Sequence, residues 1–142
     1  MATNNAVNNI GVTQAPGTNN TTLATTAFVT AAVTANANFV WTVAPSTPVT
    51  AAVNNAYIIT DASAVTVTAP VTAAVGSIIG MVGNGAGGWT LNVGSGQTFK
   101  MGSSSASTSL ASTNQYDSVF LVCVVANTTW VVYSSMGNLT VT

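Results

Sequence analysis

Residues 118–125 read Ser-Val-Phe-Leu-Val-Cys-Val-Val, and no other run constrains the fold of this chain so tightly. β-Branched and aromatic residues dominate it, as they do in strands. Strand parity sends Val119, Leu121, Cys123 and Val125 to one face and Phe120, Val122 and Val124 to the other. Both faces are apolar, so the strand belongs in the middle of a structure, with a cover on each side. The gap Ala126-Asn127-Thr128 and a second β-rich run from Thr129 to Tyr133 make a hairpin of the region. A chain of 142 residues with few large side chains is short of material for both covers, so one of them is expected to be another copy of the chain.

Charge narrows the function. Only Asp61, Lys100 and Asp117 are charged, 2% of residues where globular domains average about 25%. With no His, Glu or Arg, the chain lacks the usual general bases, metal clusters and phosphate clamps, so a non-enzymatic protein without metal or cofactor is expected. A single lysine cannot neutralise a phosphate backbone, which argues against nucleic acid as partner. Solubility falls to hydroxyls and amides. Twenty-four Thr stand beside 21 Val of nearly the same shape, so a strand can switch between wet and dry faces at little cost in backbone preference. A nearly uncharged surface lacks the repulsion that keeps copies apart, which favours self-association. It also makes stability weakly dependent on pH and salt, as suits an extracellular particle. No run of 18 apolar residues exists, so membrane insertion by a helix is not expected, and no basic segment followed by an apolar core marks a secretory signal.

Along the chain, residues 1–20 are polar and Asn-rich and read as an extended N-terminal arm, with Val7, Ile10 and Val12 scattered through it and a break at Pro16-Gly17. Residues 21–37 read as a connector holding a short helix from about Leu23 to Ala35, in which Ala24, Ala27, Phe28, Ala31 and Ala35 recur at helical spacing. Residues 38–142 form a β-rich body. Its expected strands are 39–44, ended by Pro45 and Pro48; a hairpin of 57–60 with 64–68 about the turn residue Asp61; a second hairpin of 77–82 with 89–93; and 97–101. A low-complexity spacer over 102–109 precedes the terminal hairpin. The loop 83–88 contains a formal G-x-G-x-x-G, but a strand follows it where a dinucleotide site needs a helix, so it reads as a hairpin loop. Cys123, inside the apolar hairpin, is expected to be buried and inert. The fold class is mainly β: an antiparallel sandwich or prism-like domain.

Two stretches resemble bacteriophage tail-fibre proteins. NNTTLATTAFV at 19–29 is similar to a motif repeated in such fibres, and the GAGGW, GQTF, NQYDS and ANTTW series, closed by SSMGNLTV at 134–141, resembles a β-rich module at their C-terminal ends. The resemblance implies an intertwined homotrimer at or near a fibre tip, in a virion, often concerned with binding a host surface. Such modules normally carry more charge, which shifts weight here from gripping a charged glycan toward a structural role.

The candidate sites follow. Trp89, Tyr116 and Trp41 are the expected contacts for a neutral host glycan, since aromatic rings stack on sugars. Val7, Ile10, Val12, Phe28, Phe120, Val122, Val124 and Trp130 are the expected subunit interface. Asp61 and Asp117 are the one pair that could serve a glycosidase, although both read as turn residues. The rival to a trimeric fibre, spike or decoration module is an extracellular filament subunit, polymerised by adding its N-terminal arm as a strand to the next subunit.

Overall fold

The structure is a computed structural model, and it describes residues 39–104 and 107–142. The expected arm and helix, with Val7, Ile10, Val12 and Phe28, lie outside the described residues. Within these, eleven strands and no helix are present: β1 Val40–Ala44, β2 Val49–Thr50, β3 Asn55–Ile59, β4 Val65–Thr68, β5 Ile78–Gly83, β6 Trp89–Asn92, β7 Thr98–Met101, β8 Ser109–Ser112, β9 Ser118–Val125, β10 Thr129–Met136 and β11 Leu139–Val141.

The chain builds two facing sheets by crossing between them at almost every turn. One sheet has the order β1-β3-β5-β9-β10-β7 and the other β11-β8-β6-β4-β2. The first six strands thus wind as three coils of two strands each, and every strand runs parallel to its counterpart in the next coil. The later strands return antiparallel: β9 beside β5, β10 beside β9, β8 beside β6 and β11 beside β8, with β7 parallel to β10 at the far edge. Both sheets are therefore mixed, and the expectation of an antiparallel body is corrected.

The two short hairpins are corrected with it. Residues 57–60 and 64–68 belong to different sheets, as do 77–82 and 89–93. Their loops are corners that carry the chain from one layer to the other, and the corners stack. Asn84 and Gly85 donate their backbone N–H groups to the Ile59 carbonyl at 2.7 and 2.8 Å, and Gly87 donates to that of Asp61. A Cβ on Gly85 would overlap the Asp61 carbonyl, and one on Gly87 would overlap Ser63. The glycines let one corner lie on the next at backbone contact distance. Asp61 is a turn residue as expected, its Oδ1 accepting from Ser63 N at 2.8 Å.

The terminal hairpin forms as read, with Asn127 in the left-handed region at φ 61° between β9 and β10. The expected spacer is shorter than 102–109, because Ser107 bridges to Phe99 and Ser109 opens β8.

Between the sheets lies one apolar cluster in which Trp89, Trp130, Phe99, Ile59, Ile79 and Leu121 are fully buried. Each such side chain contributes about 1.5–3 kcal/mol of burial free energy. Val119, Leu121 and Cys123 on the inward face of β9 are all at 0% exposure, so the cysteine is buried and unpaired as expected. A buried polar residue pins the layers. Gln97 Nε2 faces the carbonyls of Pro70, Val71 and Asn127 at 3.0, 3.4 and 3.2 Å, while its Oε1 accepts from Gly94 N at 2.9 Å.

Candidate functional site

The other face of β9 remains open. Phe120 and Val122 are half-buried and Val124 is exposed, so among the described residues one cover for this strand is complete and the second is not. Register makes the outer face of the six-stranded sheet a single aromatic patch. Trp41 on β1 sits beside Ala56 on β3, Ala56 beside Gly80 on β5, and Gly80 beside Phe120 on β9. The two middle positions carry almost no side chain, so the rings from either end lean over them. A Cβ at Gly80 would collide with the Phe120 ring. Trp41 meets Phe120 edge-on at 6.0 Å between ring centroids; Phe39 lies 6.2 Å from Trp41 and 6.0 Å from Phe120, and Tyr133 lies 6.2 Å from Phe120. These are the spacings of favourable aromatic pairs. Trp41 and Tyr133 nevertheless remain 50% and 55% exposed, and Val43, two residues beyond Trp41 on the same face of β1, 59%. The charged residue of this sheet is Lys100, on the edge strand β7. An uncharged patch of this kind excludes water only when another apolar surface meets it.

The expected site residues separate. Phe120, Val122 and Val124 lie on the open face. Trp130 does not: it points inward and is fully buried, so it packs the chain's own core and reaches no partner. Trp89 is likewise fully buried, its indole N–H donating to the Asp117 carbonyl at 3.2 Å, so it is removed from the glycan contacts. The glycine loop beside it suggested exposure, but the inward parity it shares with Leu91 was the better signal. Tyr116 is 66% exposed and held at φ 70°, its N–H on the Gly83 carbonyl, while Gln115 Nε2 bonds the Asn84 carbonyl at 2.7 Å. Tyr116 stands beyond the ends of β5 and β9, whereas Trp41 lies on the outer face of β1, so the two do not share one platform by sequence position.

Asp61 and Asp117 both flank the glycine loop, through Gly87 N on the Asp61 carbonyl and Gly83 N on the Asp117 carbonyl. The Asp117 carboxylate turns inward, buried, and accepts from the Ser112 hydroxyl. It serves as a turn anchor, with Gly137 packed so closely on it that a Cβ there would overlap the carboxylate. Among the described residues no group of three or more His, Cys, Asp or Glu could hold a metal ion, and no helix is long and apolar enough to cross a membrane.

The two buried tryptophans differ in a testable way. Trp130 Nε1 has no hydrogen-bond partner among the described residues, whereas Trp89 Nε1 is bonded. Both replacements by phenylalanine lose volume, but only Trp130→Phe also relieves an unsatisfied buried donor, worth about 1–3 kcal/mol. Trp130→Phe is therefore expected to cost about 1–2 kcal/mol less than Trp89→Phe in urea denaturation. Equal losses would mean that the Trp130 indole is hydrogen-bonded after all.

No protein-family model matches the chain, and no curated protein matches it.

Proposed function

We propose that this chain is a non-enzymatic structural protein of a virion, a self-assembling module of a phage fibre, spike or surface decoration, with three copies as the favoured assembly. The observation that carries this reading is the exposed aromatic patch on the outer sheet face, Phe39, Trp41, Phe120 and Tyr133, in a chain with almost no charge to oppose association. The resemblance of the GAGGW, GQTF, NQYDS and ANTTW series to fibre-tip modules supplies the setting, outside the cell. Host attachment fits the same reading. Tyr116, which lies apart from the aromatic patch, is an exposed aromatic contact suited to a neutral glycan, whereas Trp41 goes to the assembly; three copies binding together raise a weak single-site affinity by avidity.

Light scattering on a sizing column tests the assembly. The native chain is expected to run as a discrete species of three copies, and Trp41→Ser with Phe120→Ser to shift it toward the monomer. A native monomer would sink the reading. The second reading, a filament subunit joined by strand exchange, is favoured by one observation, the outer edge of β1, which pairs with no strand among the described residues. Long polymers in electron micrographs, in place of a discrete species, would make it the leading account.

A further inference from the structure

Among the described residues the two sheets have four edges, and three of them carry protection against pairing with another chain. β7 holds the exposed Lys100, β2 is two residues long and follows Pro48, and β11 is three residues long. β1 has none of these devices. Its five residues, Val-Trp-Thr-Val-Ala, include no charge and no proline, and its register with β3 is unbroken from Val40 to Ala44. Val40 N donates to the Asn54 carbonyl at 3.0 Å, and the Ala44 carbonyl accepts from Thr60 N at 3.1 Å. Alternation along a parallel ladder then turns the N–H and C=O groups of Trp41 and Val43 away from β3, toward the free edge. The side chains are open on both sides of the strand: Val40, Trp41 and Val43 are each about half exposed.

We propose that the β1 edge is where a second copy of this chain pairs, laying a strand along Trp41 and Val43 and extending the six-stranded sheet from one copy into the next. The inference rests on the self-assembling reading and says where copies join. A second copy is the occupant that fits, for two reasons. The edge and the patch beside it offer no charge for a charged partner to read, and another copy of a chain with three charged residues brings almost none to repel. The edge is also continuous with the aromatic patch, where Phe39, Trp41 and Tyr133 alone expose on the order of 300 Å². A strand laid beside them brings the contact toward the about 800 Å² that each side of a standard interface buries.

Hydrogen exchange on the full-length chain, at concentrations above and below its association, tests this directly. The Trp41 and Val43 amides are expected to exchange at least 10-fold more slowly in the associated state. Val43→Pro removes an outward N–H at a position where an edge strand tolerates proline. It is expected to weaken association more than 10-fold, whereas Val43→Thr, which keeps the N–H and the shape, weakens it far less. The near-ultraviolet circular dichroism of the buried tryptophans reports whether each variant is folded, and if Val43→Pro fails to fold the exchange result decides alone. An associated chain whose Trp41 and Val43 amides exchange as fast as in the monomer overturns this inference and leaves self-assembly standing. A chain that stays monomeric at every concentration overturns both. Protection of these amides in the monomer overturns this inference alone, since the chain would then cover its own edge while the aromatic patch stays available for assembly.

Discussion

Gln97→Glu is expected to destabilise the chain by about 3–5 kcal/mol at neutral pH and by much less in acid. The change replaces an amide that donates toward three backbone carbonyls with a carboxylate that can only accept, at a site 3% exposed. An uncompensated buried charge costs about 3–5 kcal/mol, a large part of the stability of a small domain. Burial and the facing carbonyl dipoles both disfavour the charged form, so the carboxyl pKa in the folded chain is raised above its unfolded value of about 4.3. A group raised in this way is least harmful below the unfolded pKa, where it is protonated in both states and can donate to one carbonyl. Its penalty grows as the pH rises through the folded value. Urea denaturation of variant and native chains at pH 4 and pH 7 measures this: the deficit should be large at pH 7 and shrink at pH 4. Gln97→Met, which leaves the same carbonyls unpaired without adding a charge, should show a deficit that does not depend on pH. A constant deficit for the glutamate would mean that the side chain does not face the carbonyls of Pro70, Val71 and Asn127.

The second large effect lies at the stacked corners. Gly85→Ala and Gly87→Ala each place a Cβ into the backbone of the preceding corner, at Asp61 and Ser63, and backbone cannot swing aside as a side chain does. Overpacking against such a wall costs about 3 kcal/mol. Ala86 between them is exposed, so Ala86→Ser should stay within about 0.5 kcal/mol of the native chain. Thermal melts of the three variants separate the two outcomes. If Gly85→Ala and Gly87→Ala melt as the native chain does, residues 83–88 form an ordinary exposed loop and the coils are not stacked there.

The same glycines show where the sequence was legible and where it was not. The terminal hairpin could be read because its strand pattern and its Asn127 turn agree, and nothing non-local is needed to close it. The corners could not. A turn headed by Asp61 and a loop of four glycines are equally suited to folding a strand back beside its neighbour and to carrying it across to a facing sheet. Parity held a partial signal: Ile58-Ile59 and Ile78-Ile79 are adjacent apolar pairs, as parallel strands with both faces covered tend to show, whereas Val65-Thr66-Val67-Thr68 alternates. The candidate patch was half visible. Phe120, Val122 and Val124 announced an apolar face by themselves, but that Trp41 and Phe39 join Phe120 depends on a register across two intervening strands, with Ala56 and Gly80 small enough to admit the rings. The burial of Trp130 and Trp89 follows instead from parity along their own strands: Trp130 stands opposite the inward Cys123, and Trp89 shares the inward face of β6 with Leu91, which outweighs the glycine loop that ends beside it.

The position of β9 has a consequence for how the chain is made. Synthesis delivers β5 early, yet its neighbour in the finished sheet is β9, more than thirty residues later. Until that segment leaves the ribosome, the nascent coils hold an apolar strand with one side unmatched. The chain is therefore most exposed to mispairing with its neighbours on the same messenger late in translation, when crowded copies offer each other the strand that each still lacks.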